Sequence, residues 1–547
     1  MSSATQWGVA EVGQGIRDGN IRPQMDDVQG GPGNFLNRRQ QDLDMLWRHY
    51  RCSNYDGRKY DWNGGESVGK IETDLIATSG SIPAGFYDGG ATMPLKFRKP
   101  STPYYLGKVI PRRFTSLLFS SSKHPQIGSD DPQTEDWLQG FAEASRLWAQ
   151  MIQARTFGGA MGSVGLGFKF VRGAPHVEVF DPRYCEPNFR NRQTGELESV
   201  EIRWQYPLDI RQPDGSFDTA WFWYRRIIDS ERDVAWPKVL VDGSEEPRWD
   251  EEHHFEEEHE LGFCPVVWIQ NQPVQDDVDG DPDCHGAYDM IEDIDQLLSQ
   301  SSKGAKANCD PTLWMASDAD FDQIKKGSGH AIQTEKGGSA QFLEMSGSGI
   351  TVAMALAAQL EERVLLMASC VLDRNDGGPA KTELETATKY SAMCDQADIL
   401  RLQYEKGLCQ LLDMVLIAAR QLEQPRQGEN ADGKIAFIRS AISIPRKRAV
   451  GADGSVKYIP RALGRGSQVE LRWPSYFATN ATNTQVKVQA AGNAHAFGLL
   501  DTAHAMAYIA KDFDVENVPA MRAALAQENS SEPAEQLASA MGRTFKR

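Results

Sequence analysis

Residues 383–424 read ELETATKYSAMCDQADILRLQYEKGLCQLLDMVLIAARQLEQ, with no proline and a single glycine, Gly407. Apolar or aromatic residues recur at Ala387, Tyr390, Cys394, Ala397, Tyr404, Leu408, Leu411, Val415 and Ala418. The steps are three or four, except where Arg401 sits on the stripe beside Leu400. That spacing keeps one face of an α-helix apolar over many turns. Some forty residues at about 1.5 Å of rise make a rod of roughly 60 Å. Helices in compact enzyme domains are shorter as a rule.

Working outward, residues 350–372 predict a second helix, with Val352, Leu356, Leu360, Val364 and Leu365 spaced for burial. The segment DRNDGGPAKT, 373–382, joins the two. Gly377, Gly378 and Pro379 break any continuing helix. Thr382 with Glu385 three positions on is a capping-box start. A third helix, 285–307, carries MIEDIDQLL at 290–298, and a small mixed segment, 309–348, lies between it and the second.

This order resembles the portal proteins of tailed bacteriophages. The supporting phrases are GFCPVVWIQN at 262–271, MIEDIDQL at 290–297, TPYYLGKVIPRRFTSLLF at 102–119 and AFGLLDTA at 496–503. The likeness spans residues 36–525, and it rests on the order of the phrases, since none is diagnostic alone. It implies an α+β portal-protein fold with wing, stem, clip and crown, and long helices around a central channel in a ring. By resemblance, residues 1–34 form an N-terminal arm and 35–284 the wing. Residues 285–308 form the first stem helix, 309–349 the clip, 350–372 the second stem helix and 373–382 the tunnel loop. Residues 383–424 form the long wing helix, 425–483 a wing β segment, 484–528 a helical crown and 529–547 a polar tail.

The same resemblance implies a homododecameric ring at one capsid vertex of the virion, assembled in the host cytoplasm. Double-stranded DNA passes through it during packaging and ejection. The terminase large subunit docks first, head-completion (adaptor) and tail proteins afterwards; major capsid and scaffolding proteins meet the wing. No catalytic residue, metal or cofactor is implied. The tunnel loop (Asp373, Arg374, Asn375, Asp376, Gly377, Gly378, Pro379, Ala380 and Lys381) is expected to face DNA, with Arg374 and Lys381 touching phosphate transiently. Asp318, Asp320, Asp322, Lys325, Lys326 and Lys336 in the clip are the candidate docking residues. Arg446, Lys447 and Arg448 are expected to face DNA or a capsid neighbour.

Composition bounds these readings. The chain has 547 residues, room for several domains. A hydrophobic content of 40% and a charged content of 24% are those of a soluble globular protein. The longest apolar run, 411–419, contains Asp413 and falls short of the ~20 residues a membrane span needs. The N-terminus has no basic and apolar leader, which predicts an unsecreted chain. Eight cysteines without a CxxC pair predict reduced intracellular thiols. The net charge of −18 argues against a simple nonspecific DNA binder, which neutralises phosphates with Lys and Arg. It suits a conduit that holds the phosphate backbone weakly, and equally a protein kept soluble by its charge.

Along the chain, residues 1–34 are rich in Gly, Gln and Asp, and are expected to be flexible or laid on a neighbour. Helices are expected at 35–50, 104–119 despite Pro111, and 134–156. Between 162 and 268 the period changes to two, with strands at 164–171, 177–180, 200–206 and 220–228 and a turn at 213–216. The aromatics at 221–224 read as core and cross-strand packing. Residues 250–283 hold twelve acidic residues and no Lys or Arg, the pattern of a solvated loop face. Strands return at 434–438, 441–444 and 469–473. Residues 433–473 carry nine Lys or Arg against Asp453 and Glu470. Residues 484–527 read as helical, and no repeat of fixed period occurs.

Four motifs invite enzymatic readings. GGESVGK at 64–70 has phosphate-loop spacing, but Ile71 replaces the hydroxyl that ligates Mg²⁺. GGAMGSVGLG at 158–167 enters a strand, whereas a dinucleotide site opens a helix; a tight turn with close backbone approach fits better. DVDGDPD at 277–283 has Pro282 where a calcium loop needs Gly and Tyr288 where it needs Glu, leaving at most a loose surface cation site. His253, His254 and His259 lack zinc spacing. The alternatives to the portal reading are a metal-dependent nucleic-acid-processing enzyme built on Asp276–Asp283, and another ring-forming structural protein.

Overall fold

The computed structural model describes residues 36–56, 99–171, 173–211, 217–241, 247–250, 252–309, 312–316, 339–343, 347–372, 383–423, 426–429, 435–438, 442–450, 456–476, 481–497 and 505–506. It is α+β. Contacts divide the chain into two units, Met1–Pro474 and Ser475–Arg547.

The first unit opens with α1 (Arg38–Arg51), started by a capping box between Asn37 and Gln40 and stopped by Cys52 in the left-handed region. Helix α2 (Leu106–Phe119) carries Pro111 in its interior and buries Leu106, Ile110, Phe114, Leu118 and Phe119. Strand β1 (Gln126–Ser129) leads into α3 (Pro132–Ser145), whose N-cap Asp131 accepts from the amides of Gln133 and Thr134. Helix α4 (Leu147–Met161) follows at once. The single helix expected at 134–156 is therefore two. Arg146 adopts φ +54° and its N–H turns back to Ala142 and Glu143, ending α3, while the hydroxyl of Ser145 bonds to the carbonyl of Phe141.

The β region follows: β2 (Ser163–Val171), β3 (Ala174–Phe180), β4 (Cys185–Asn191), β5 (Glu196–Arg211), β6 (Phe217–Ile228), β7 (Arg232–Ala235), β8 (Val239–Leu240), β9 (Phe255–Glu258) and β10 (Val266–Gln270). These form two antiparallel sheets. One has the order β10-β2-β3; the other is β4-β5-β6-β7-β9, with β8 paired to β6. Their apolar faces share a core that includes Phe180, Val200, Ile202, Trp204, Tyr224, Ile228, Val266 and Trp268. Trp204 and Tyr224 lie opposite in register with ring centroids 4.1 Å apart, so the aromatics near 221–224 serve cross-strand packing. The acidic stretch 250–283, expected to be a solvated loop, contains β9 and β10. The uninterrupted apolar run CPVVWI at 264–269, buried along its length, outweighs the flanking charge.

Helix α5 (Tyr288–Cys309), the antiparallel pair β11 (Thr312–Ala316) and β12 (Ser339–Leu343), helix α6 (Ser348–Met367) and helix α7 (Glu383–Glu423, 41 residues) come next. Strands β13 (Arg426–Glu429) and β14 (Ile435–Ile438) pair, as do β15 (Lys447–Val450) and β16 (Val456–Ile459). Strand β17 (Val469–Arg472) returns to pair with β1. Residues 442–444, expected within the strand at 441–444, lie outside any ladder; the amide of Ser443 donates instead to the carbonyl of Gly173.

Helix α7 is the hub of this unit. Ala397, Leu400, Tyr404, Leu408, Leu411, Leu412, Val415 and Ala419 are fully buried, and it packs on α2, β2, β10 and β17. Arg401, the charge on its stripe, is accommodated by chain path: its guanidinium donates to the carbonyl of Pro474 at 3.0 Å and lies 5.0 Å from the centroid of the Trp473 ring. The described part of the second unit contains α8 (Ala481–Ala496).

Candidate functional site: the long helix and the surfaces around it

Helix α7 is fixed to the β region by a buried polar joint. Arg155, in the middle of α4, is fully buried and donates to both oxygens of Asp283 at 2.9 Å. Asn271, just after β10, donates to the same carboxylate at 3.0 Å and to the carbonyl of Asp281 at 3.1 Å. Tyr404 of α7 donates to the side-chain oxygen of Asn271 at 3.4 Å, and its ring lies 5.6 Å from the Arg155 guanidinium. Burial works against the charge on Arg155, but Asp283 beside it holds its pKa above the ordinary value. Burial pushes the Tyr404 hydroxyl up, beyond any working pH. The glycine-rich run explains the close approach. A side chain at Gly158 would meet the Tyr404 hydroxyl, and one at Gly159 would meet Arg155. Gly162 ends α4 at φ +93°, which is the tight turn expected there.

The same joint answers the acidic motif. Asp283 is committed to Arg155, Asp279 to Arg39 at 2.5 Å, and Asp281 to His285 at 3.2 Å. Arg155 and Arg39 neutralise Asp283 and Asp279, which leaves those two carboxylates poorly placed to serve a metal. Among the described residues no group of three or more His, Cys, Asp or Glu is placed to hold a metal. His253 pairs with Asp250 and His254 with Glu256. All eight cysteines are free, and burial pushes the thiols of Cys264 and Cys370 up to about 12, which makes both poor nucleophiles.

Helices α5 and α6 pack on each other. A second buried node ties them to the segment before α2. Asp295 of α5 accepts from the Tyr55 hydroxyl at 2.7 Å and from the amide of Tyr104 at 2.6 Å, while Tyr104 donates to Glu361 of α6 at 3.3 Å. Burial raises the pKa of Asp295. Away from this node α6 is under-covered. It buries Ala357, Glu361 and Val364, yet Val352 is 67% exposed, Leu366 78% and Met367 53%, with Met354 and Leu356 also exposed. An apolar cleft of about 580 Å³ lies between the end of α6 and the start of α7. Among the described residues no helix is long and apolar enough to cross a membrane.

Most sequence-predicted site residues fall outside the described residues. That holds for the tunnel loop from Asp373 to Lys381, for Asp318, Asp320, Asp322, Lys325, Lys326 and Lys336 of the clip, and for the phosphate-loop look-alike at 64–70. Arg446 is exposed, and Lys447 opens β15 beside α3, where it pairs with Asp136 at 2.7 Å. Arg448 is the next residue of the strand. Arg461 pairs with Asp136 and Glu143, and Arg472 with Glu470. Three of the segment's nine basic side chains, Lys447, Arg461 and Arg472, are thus paired with α3 or within the segment.

One kind of comparison with known proteins finds a likeness. It is to gene transfer agent particles. The virion of a native particle has 13% identity, with 82% of this chain and 96% of that chain covered, at a TM-score of 0.37. The neck of a native particle, computed with C12 symmetry, has 10% identity, 73% and 89% coverage and a TM-score of 0.34. The neck of an empty particle, computed with C6 symmetry, has 11% identity, 81% and 95% coverage and a TM-score of 0.38. At these levels neither a shared fold nor a shared function follows. No protein-family model matches the chain, and no curated protein matches it.

Sequence reasoning missed the joint. Arg155 and Asp283 are 128 positions apart, and Asp283 closes a run that looked solvated. The available signal was the pair Gly158 and Gly159 inside a helical pattern, since interior glycine marks a close neighbour.

Proposed function

We propose that the chain is a portal subunit. Copies form a ring of about twelve at one vertex of a virus-like capsid, closed by head-to-tail contacts. Double-stranded DNA moves through its centre during packaging and ejection. The segment 309–349 docks the terminase and later the head-completion and tail proteins, and the wing meets capsid and scaffolding proteins. The work is passage and gating, with no bond broken by this chain.

The observation that carries the reading is the order of elements from α5 to α7: a helix, a two-strand module, an apolar helix and, after fifteen intervening residues that include Gly377, Gly378 and Pro379, a 41-residue helix. The exposed apolar face of α6 supports it. A helix that is apolar on several sides is stable when several sides are covered, and patches of this kind mark association surfaces. Copies arranged around an axis bring a neighbour to that face. The net charge of −18 fits a wall along which a polyanion slides.

Native mass spectrometry of the purified chain tests the association. The reading predicts a closed oligomer of about twelve copies; a monomer or a compact dimer contradicts it. Deleting Asp376–Ala380 tests the passage. Ring assembly should persist while packaging or retention of DNA falls, and unchanged packaging removes the loop from the DNA path.

A further inference from the structure

Two runs of opposite charge lie far apart in this chain. Residues 250–283 carry twelve carboxylates and no Lys or Arg, and residues 433–473 carry nine Lys or Arg against Asp453 and Glu470. Copies of net charge −18 repel one another. Repulsion between copies that meet head to tail is least where the basic run of one faces the acidic run of the next.

Each run presents a strand with an unpaired edge among the described residues. Strand β9 pairs with β7 alone, at the margin of its sheet, and Glu256, Glu257 and Glu258 are exposed. Glu256 is held by Arg232 at 2.9 Å, whereas Glu258 has no ion pair among the described residues. Strands β15 and β16 pair only with each other. The root of this ribbon is clamped to α3, where Lys447 pairs with Asp136 at 2.7 Å and Arg461 with Glu143 at 3.0 Å. Those pairs neutralise the two carboxylates nearest the ribbon. What remains on it is cationic. Arg446 is exposed without an ion pair among the described residues, and the sequence adds Arg448 and Lys457. Tyr458 is 62% exposed and Ile459 50%. Successive residues of a strand point to opposite faces, so the ribbon is open on both. A two-stranded ribbon is marginal by itself, and an exposed Tyr among Arg side chains has the composition of a protein contact.

We propose that the β15–β16 ribbon of one copy docks on the acidic β9 edge of a second copy, setting Arg446, Arg448 and Lys457 against Glu257 and Glu258. Strands β9 and β16 are both four residues long, and main-chain pairing of open edges can carry a sheet across such a contact. The inference rests on the reading that copies associate, and it names one contact by which they do. Sedimentation velocity of the full chain over a concentration series tests it, at about 50 mM and about 500 mM salt. Arg446→Glu/Arg448→Glu and Glu257→Lys/Glu258→Lys are each expected to weaken association about tenfold at low salt and less at high salt. The fourfold variant carrying both pairs should recover to within about threefold of the unaltered chain. In the unaltered chain, assembled from equal amounts of isotopically heavy and light copies, a zero-length carbodiimide should form a Lys457–Glu257 or Lys457–Glu258 amide between copies. Unchanged association in both reversed variants without that amide overturns the contact, as does weakening that the fourfold variant fails to reverse. Unchanged association with weaker DNA retention in Arg446→Glu/Arg448→Glu overturns it in favour of nucleic acid. These outcomes leave the portal reading standing; an unaltered chain that stays monomeric at every concentration overturns both.

Discussion

Helices α6 and α7 are both rich in apolar residues, and they use them differently. Along its C-terminal half α7 buries Leu408, Leu411, Leu412, Val415 and Leu416 almost completely. Each such side chain contributes about 1.5–3 kcal/mol of gross stabilisation over an exposed one. Helix α6 leaves Val352, Met354, Leu356, Leu366 and Met367 largely in solvent, so in a single copy they contribute little of this. Most of the apolar content of α7 from Ala397 onward is buried by its own chain, although Ile399, Leu402 and Ile417 stay exposed. That of α6 stays largely in solvent in the single chain, and the proposed ring would bring a neighbour to it. Apolar content thus marks both a buried core and an exposed patch, and only the surroundings tell them apart.

The contrast breaks most completely if α6 is charged. Val352→Glu with Leu356→Glu is expected to abolish oligomerisation in sedimentation velocity. It should leave the stability of the separated copy within about 0.5 kcal/mol, as exposed positions do. Oligomers of unchanged mass would return α6 to the surface of the assembly. The converse change lies in the joint under α7. Asp283→Ala strands the Arg155 guanidinium in the interior, and removing one partner of a buried pair costs about 3–5 kcal/mol, read as a lower denaturation midpoint. A smaller effect is expected from Gly407→Ala. The added methyl would lie 2.5 Å from the Ile269 side chain, and overpacking of this kind costs about 1–3 kcal/mol; an unchanged midpoint would mean that α7 shifts freely on β10.

The smallest expected effect is a pH dependence at His259. Its side chain lies under the β7–β9 edge, where burial lowers its pKa below the usual 6.5. A depressed histidine contributes stability that is present above its unfolded value and is lost as pH falls through its folded value. His259→Gln should flatten the stability–pH curve below pH 6.5, and an identical curve would assign the slope to other groups. Asp295, whose pKa is raised by burial, acts with the opposite sign. Its contribution is present below the ordinary carboxylate range and is lost as pH rises through its folded value.

The long helix was legible because its apolar stripe, interrupted only at Arg401, runs in three- and four-residue steps from Ala387 to Ala418. The meander was legible from its period of two. Strands β1 and β17 were not paired in advance, because more than 300 positions separate Gln126 from Arg472 and no local pattern records a partner so distant. The break between α3 and α4 was hidden for a different reason. Arg146 takes a left-handed backbone without glycine, and the apolar stripe runs on past it. Asp283 was misread because charge in a run looks solvated until its counter-ion, on a distant helix, is in view. The candidate loop and clip residues came from resemblance, and they lie outside the described residues. Arg446 and Lys447 were singled out for basic character, and the pairing of Lys447 with Asp136 required the packing of β15 on α3.

End-on electron microscopy of the purified protein tests the central claim most directly. If the uncovered face of α6 is a subunit contact in a portal ring, the images will show rings of about twelve copies around an open channel wide enough for a DNA duplex. Compact particles without a channel, or rings whose centre is too narrow for a duplex, would contradict it.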